Sequence, residues 1–347
     1  MFEGWLPWRE ATERALYGPG GFYHRPEGGP GSHYRTASTA TPHFARAVLR
    51  LAALVDEALG RPTTVDLVEV GAARGALLAA IHALAPEVAP GLAPRLRLTG
   101  VDLAARPDLL PAGAGWVRSV AELAATTGLL FANEWLDNVP VDVVEQTAGG
   151  PRLVEVNATG AERLGDPPDA ADAAWLARWW PGMAEGDRAE IGRPRDEAWS
   201  AAVRRVARGV AVTADYAHDR AERAAGGHAG GTLTGYRAGR QVLAVPDGSC
   251  DITAHVALDA VAAAGADAGA TGTVLVDQRR ALRALGVTGE RPDRTQATAD
   301  PQGWLRALAA AGEQAELLAR GGLGDFGWLL QSVGLPAARV LAPLSTD

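Results

Sequence analysis

A chain of 347 residues with 47% hydrophobic side chains is long enough for a substantial core, as one large domain or two smaller ones. All 33 basic residues are arginine, which removes a P-loop lysine and Schiff-base chemistry, and a formal charge of −8 argues against a general nucleic-acid surface. Cys250 is the only cysteine, so neither a disulfide framework nor a Cys-based zinc site is available within the chain, and no metal site is expected. No run approaches the ~20 apolar residues of a membrane span. The opening "MFEGWLPWREATER" lacks the basic start and long apolar core of a signal peptide, so a soluble, cytoplasmic protein is expected.

Residues up to about Thr41 are rich in Gly, Pro and aromatics, which predicts an ordered loop or lid. From Pro42, "PHFARAVLRLAALVDEALG" spaces apolar residues at three and four and ends at Gly60, an amphipathic helix. "TVDLVEVGAARGALLAAIHALAP" predicts a strand, a tight turn and a helix ended before Pro86. "RLRLTGVDL" follows as a second strand with Asp102 at its end, "AGWVRSVAELA" as a short third, and "GLLFANEWLDNVP" as a fourth. "PVDVVEQTAGGPRLVEVNATG" alternates around Gly-Gly and predicts a hairpin. A Pro-, Asp- and Trp-rich stretch then reads as an insertion before the helix "RDEAWSAAVRRVARG" and the strand "VAVTADYAH". Alternating strands and helices predict an α/β fold with a doubly wound, mostly parallel sheet, Rossmann-like, carrying inserted substrate-binding elements. The expected organisation is residues 1–60 as N-terminal lid and helix, 61–160 as the cofactor-binding half, 161–200 as the insertion, and 201–347 as the second half with a C-terminal tail.

The turn from Glu69 through Gly71 to Gly75 sits where the first strand meets its helix. Gly71 permits a tight turn, Gly75 lets helix and strand pack closely, and the helix N-terminus offers N–H groups to an anion. Purely structural glycines fit the same pattern, and Ala73 departs from a dinucleotide fingerprint. Asp102 is placed to accept both hydroxyls of a cofactor ribose, or to act as a turn or cap residue. Together these features suit S-adenosylmethionine, whose single carboxylate asks less of the loop than a pyrophosphate, with Ser119 placed to meet the adenine. Asn133 and Glu134 would emerge beyond the fourth strand, with Asp137 close behind and Pro140 ending the loop. A carboxylate there can hold a cationic acceptor or take its proton, and an amide can orient it. A solvated loop with a chance acidic pair is the plain alternative.

These segments resemble the MidA-type S-adenosylmethionine-dependent methyltransferases, whose mitochondrial members assist respiratory complex I assembly. "LVEVGAARGALL" is similar to the family's cofactor loop, "FANEWLDNVPV" to its Asn-Glu-aromatic segment, and "VTADYAH" to its strand ending in Asp-Tyr-Gly-His, with Ala217 where glycine is usual. "GGTLTGYR", "DITAHVALDAV" and "GGLGDFGWLL" resemble three further family signatures. The resemblance implies methylation of a protein arginine in the mitochondrial members. It also implies that Asp215, Tyr216 and His218 follow the fifth strand and that Asp251, Thr253 and His255 join them. His255 would position the substrate or act as a base, unless it and His218 are structural. Glu134, Asn133, His255 and Asp215 are the catalytic candidates. Tyr23, Thr36, Asp137, Tyr216, His218 and Asp251 are the substrate-binding candidates. Glu69, Gly71, Gly75, Asp102, Ser119 and Asn133 are the candidates for the cofactor.

Two departures stand out. The family's N-terminal "GDF-x-T-x-P" appears as "SHYRTAST", which keeps Thr36 but loses the acidic residue. The usual Pro-Gly of the cofactor loop is Ala72-Ala73; Ala73 is tolerated if its φ is negative, whereas a positive φ would strain the loop by ~1 kcal/mol or more. The expected partner is a protein or peptide substrate, with an arginine side chain as first-choice acceptor and a homodimer allowed. The rivals are an O- or N-methyltransferase of a small molecule or peptide, and an assembly factor that keeps the fold without turnover. Tyr23 to Thr36 is expected to act as a lid over the acceptor.

Overall fold

The computed structural model describes residues 2–24, 41–336, 340 and 344, and the chain divides into two compact units. The first comprises residues 36–133, 203–214 and 269–347. Its seven strands are β1 (Val65–Val70), β2 (Leu96–Val101), β3 (Gly115–Val117), β4 (Thr126–Asn133), β5 (Val206–Asp215), β6 (Gly272–Asp277) and β7 (Gly327–Val333). They lie in the order β6-β7-β5-β4-β1-β2-β3. Strands β5, β4, β1, β2 and β3 run parallel, and β6 pairs antiparallel with β7. The strand order reverses at β1–β4, the position where open α/β sheets bind ligands beyond their carboxyl ends. β4 and β1 are almost wholly buried, as strands covered on both faces must be.

The helix Pro42–Leu59 begins as its sequence predicts. Thr41 Oγ1 accepts the His43 N–H at 3.3 Å, Pro42 occupies the first turn, and Gly60 ends the helix at φ 82°. Phe44 on this helix, Phe131 on β4 and Trp328 on β7 meet edge to face, with centroids 5.4–6.2 Å apart, at the centre of the apolar core. The helix Ala76–Val88 runs through Pro86 instead of ending before it. Pro86 forgoes the N–H that would reach back to His82 O, and the helix ends two residues later at Val88, with the Ala89 N–H still donating to Ala85 O at 3.0 Å.

The second unit comprises residues 1–35, 134–202 and 215–268. The predicted hairpin forms between Asp142–Thr147 and Gly150–Val156, in register from Thr147↔Gly150 to Val144↔Leu153. The Trp-rich stretch supplies a helix, Ala170–Trp179, capped by Asp169, and a strand, Arg188–Ile191, that pairs antiparallel with Asp142–Thr147. Thr234–Arg237 lies between Arg240–Val242 and Asp251–Thr253, and Ala217–His218 pairs in parallel with Val256–Ala257. Trp8, Leu16, Phe22, Val143, Val154 and Ile252 form one core cluster, and Val144, Trp175, Leu176, Trp180 and Ile191 belong to another. Among the described residues no helix is long and apolar enough to cross a membrane.

Candidate functional site

In the sheet unit, the turn after β1 carries the features that a cofactor with a single carboxylate needs. Gly71 and Gly75 have φ of 73° and 70°, conformations L side chains rarely adopt, and a Cβ on Gly75 would lie 2.8 Å from Leu110. Between them Ala73 takes φ 45°, the strained outcome, and is held there by its N–H donating to Asp102 Oδ2 at 2.7 Å. The other Asp102 oxygen accepts the Ala104 N–H at 2.8 Å. Asp102 thus ties the β2 end to the glycine turn, and burial raises its pKa above the usual carboxylate value. Glu69 is buried beneath the turn. Burial, with the Asp102 charge adding to it, pushes its pKa well up, and its Oε2 has no hydrogen-bond partner among the described residues. An orphaned carboxylate oxygen at this depth suits a ligand that brings an N–H donor. Ser119 follows β3, its hydroxyl 3.0 Å from Glu122 Oε1. Asn133 closes β4 opposite Ala214 of β5, so the chain leaves the sheet unit at two adjacent strand ends.

The second unit gathers the acidic and imidazole groups. Glu134, the residue after β4, is held at φ 51°, a rare conformation for a non-glycine residue and a frequent mark of functional strain. The turn Leu136–Asn138 follows. The Asp137 N–H donates to Asp215 Oδ1 at 3.2 Å, and Asp137 Oδ2 accepts the Thr253 hydroxyl at 2.9 Å. Asp137 is buried with Oδ1 unpartnered among the described residues, and burial raises its pKa. Asp251 Oδ1 accepts from Tyr23 Oη and from Asn138 Nδ2, each at 3.1 Å, and Tyr23 stacks on Tyr17. Thr36 and residues 25–35, the rest of the expected lid, lie outside the described residues.

Tyr216 stacks on His255 with ring centroids 5.6 Å apart, and burial, then the Glu134 charge, raises the phenol's pKa. His218, His228 and His255 pack within 5.0–6.4 Å of one another. Arg223, itself paired with both oxygens of Asp259, donates to His218 Nδ1 at 2.7 Å, which leaves the proton of the neutral ring on Nε2. Burial and the Arg223 charge push the His218 pKa down to about 2. Burial, His228 and Arg195 push that of His255 down to about 4. His255 Nδ1 is buried without a hydrogen-bond partner among the described residues, and the same burial keeps the imidazole neutral. No group of three His, Cys, Asp or Glu among the described residues is arranged to hold a metal ion.

Two contributors escaped the sequence reading. His228 gave no signal, being one histidine among glycines and alanines. Arg195, buried, donates to Asp137 O at 2.7 Å, Val139 O at 3.1 Å, Ala254 O at 3.0 Å and His255 O at 2.8 Å, so it fastens the Glu134 loop to the His255 segment. In sequence it is one arginine among 33 basic residues.

The strand order, the glycine turn and the acidic β2 end define a class I methyltransferase. Residues 50–276 match the model of a family described as "Putative S-adenosyl-L-methionine-dependent methyltransferase". The chain belongs to this family, in keeping with the MidA-type likeness of its motifs, and its cofactor is S-adenosylmethionine. It is similar, at 29% identity and TM-score 0.81, to the crystal structure of a COG1565 superfamily member from Burkholderia thailandensis bound to S-adenosyl-homocysteine; the match covers 98% of this chain and 91% of that one. A native crystal structure of a COG1565 superfamily protein from the same organism matches at 29% identity and TM-score 0.79, over 97% and 90% of the two chains. No curated protein matches the chain.

Proposed function

We propose that this methyltransferase acts on an arginine side chain of a protein or peptide, in the cytoplasm. The observation that carries the reading is Glu134, a carboxylate that the fold holds at φ 51° on the residue directly after β4. A planar cationic guanidinium can be gripped by such a carboxylate through two parallel hydrogen bonds, which orients one nitrogen for attack on the methyl group. In that reading Glu69, Gly71, Gly75, Asp102, Ser119 and Asn133 would hold the cofactor, which supplies the electrophilic methyl. Asp137, Asp215, Tyr216, His218 and Asp251 would shape the acceptor side. His255, kept neutral above about pH 4 by its burial, would position the acceptor as an uncharged ring.

A second reading rests on the same imidazole. His255 Nδ1, without a hydrogen-bond partner among the described residues, also suits a neutral hydroxyl or amine acceptor, which depends less on a carboxylate. Incubation with methyl-labelled S-adenosylmethionine and arginine-containing peptides, followed by acid hydrolysis and amino-acid analysis, tests the choice. Label in methylarginine is expected. Label confined to small hydroxyl or amine acceptors would replace this reading with the second, and no transfer to any acceptor would favour an assembly role, which the strained Ala73 fits best.

A further inference from the structure

Trp116 does more than close the edge of the sheet. It lies on β3 opposite Gly100 of β2, and its indole covers that glycine: a Cβ on Gly100 would overlap the ring and stand 3.3 Å from the Ala72 Cβ of the cofactor turn. Only a residue without a side chain lets the indole come so close. The ring is partly buried against the apolar core, and its Nε1 donates to Ala104 O at 3.0 Å.

Ala104 is therefore held on both sides. Its N–H donates to Asp102 Oδ1 at 2.8 Å while its carbonyl accepts from Trp116. The other Asp102 oxygen accepts the Ala73 N–H at 2.7 Å, and the Asp102 N–H donates at 3.1 Å to the carbonyl of Val117, the residue after Trp116. The far end of the same loop is fixed as well. Arg106 donates to Pro111 O at 2.8 Å, and Leu110 and Pro107 close over Gly75, where a Cβ would lie 2.8 and 3.2 Å from them. The Ala73 and Ala104 donors that aim the Asp102 carboxylate are thus backbone groups, and Ala104 keeps its place through the Trp116 indole. A carboxylate binds two vicinal hydroxyls best when its plane is fixed beforehand, so the group that fixes it contributes to affinity through it.

We propose that Trp116 is a positioning residue for the cofactor: through Ala104 it fixes the Asp102 carboxylate for the two ribose hydroxyls. The inference rests on the reading of Asp102 as the ribose acceptor and is independent of the methyl acceptor. The test is calorimetric titration of the whole protein with S-adenosylhomocysteine and with an analogue whose ribose lacks both hydroxyls. Phenylalanine keeps a ring over Gly100 but removes the donor, and the Ala104 carbonyl lies at the surface and can take water instead, so the fold should survive. Trp116→Phe should weaken S-adenosylhomocysteine about three- to tenfold, the range for one lost hydrogen bond, and leave the analogue within about twofold of wild type. Gly100→Ala keeps the indole N–H but pushes the ring aside, and should repeat that split. In an Asp102→Ala background, Trp116→Phe should add less than about twofold, because both changes remove the same interaction.

Equal weakening of both ligands by Trp116→Phe would overturn the proposal, as would unchanged S-adenosylhomocysteine affinity in that variant or losses that add fully in the double variant. Should Trp116→Phe not fold, Gly100→Ala decides by the same split. An Asp102→Ala protein that binds S-adenosylhomocysteine like wild type would remove the ribose reading and this inference with it. A weakened Asp102→Ala beside an unchanged Trp116→Phe would remove the inference alone.

Discussion

Glu134 joins a structural cost to a chemical opportunity. A left-handed backbone costs a non-glycine residue about 1–2 kcal/mol, while glycine loses more freedom on folding, so Glu134→Gly should stabilise the protein by about 0.5–1 kcal/mol net. The same variant should abolish methyl transfer, which urea unfolding and an activity assay read separately; a destabilised variant would mean that the side chain's contacts outweigh the strain. His255 yields a pH prediction. An imidazole in the unfolded chain takes its proton near pH 6.5, whereas in the fold this one takes it near 4. Between those values the unfolded state binds more protons. The stability that His255 contributes is therefore complete above pH 6.5 and is lost as pH falls towards 4. Its ring-proton NMR shift should stay flat from pH 8 to 5, and a midpoint near 6.5 would contradict the burial described for it.

At the scale of elements, Arg195 explains how two loops distant in sequence become one surface. Its four backbone acceptors belong to segments 56–60 residues away in sequence, so neither periodicity nor a motif could point to it. Arg195→Met keeps the apolar stem but leaves buried carbonyls without donors, and should cost about 2–5 kcal/mol of stability by urea unfolding. A loss under ~0.5 kcal/mol would show that the loops hold each other without it. The elements that were legible share a physical reason: their sequence pattern and their burial coincide. Leu129 to Ala132 announce β4, Thr41-Pro42 and Gly60 bracket a helix, and Gly149-Gly150 mark a hairpin. Pro86 misled because a proline disfavours helix at the residue before it without forbidding it, and here the helix continues for two residues beyond. Of the groups gathered beyond Glu134, Asp137, Asp215, Tyr216, His218 and His255 stood in recognisable segments. The positive φ of Glu134 had no signature, since nothing in a glutamate announces a left-handed backbone.

For the whole molecule, family membership and the glycine turn together require that S-adenosylhomocysteine bind the folded protein. Titration calorimetry should detect it, and a ligand at a hundred times its Kd should add about 2.7 kcal/mol to the unfolding free energy. Asp102→Ala removes the acceptor of the Ala73 and Ala104 N–H groups and should weaken cofactor binding by roughly 1–3 kcal/mol. Unchanged affinity would move the ribose elsewhere. The most direct test of the account compares wild type with Glu134→Gln in one experiment, counting methyl transfer to an arginine peptide and measuring S-adenosylhomocysteine affinity on the same preparations. Glutamine keeps the size but removes the charge and half of the acceptor fork. Transfer should fall by at least ~100-fold while cofactor affinity stays within a few-fold. A fully active Glu134→Gln enzyme would contradict the role given to this carboxylate and, with it, the choice of arginine as acceptor.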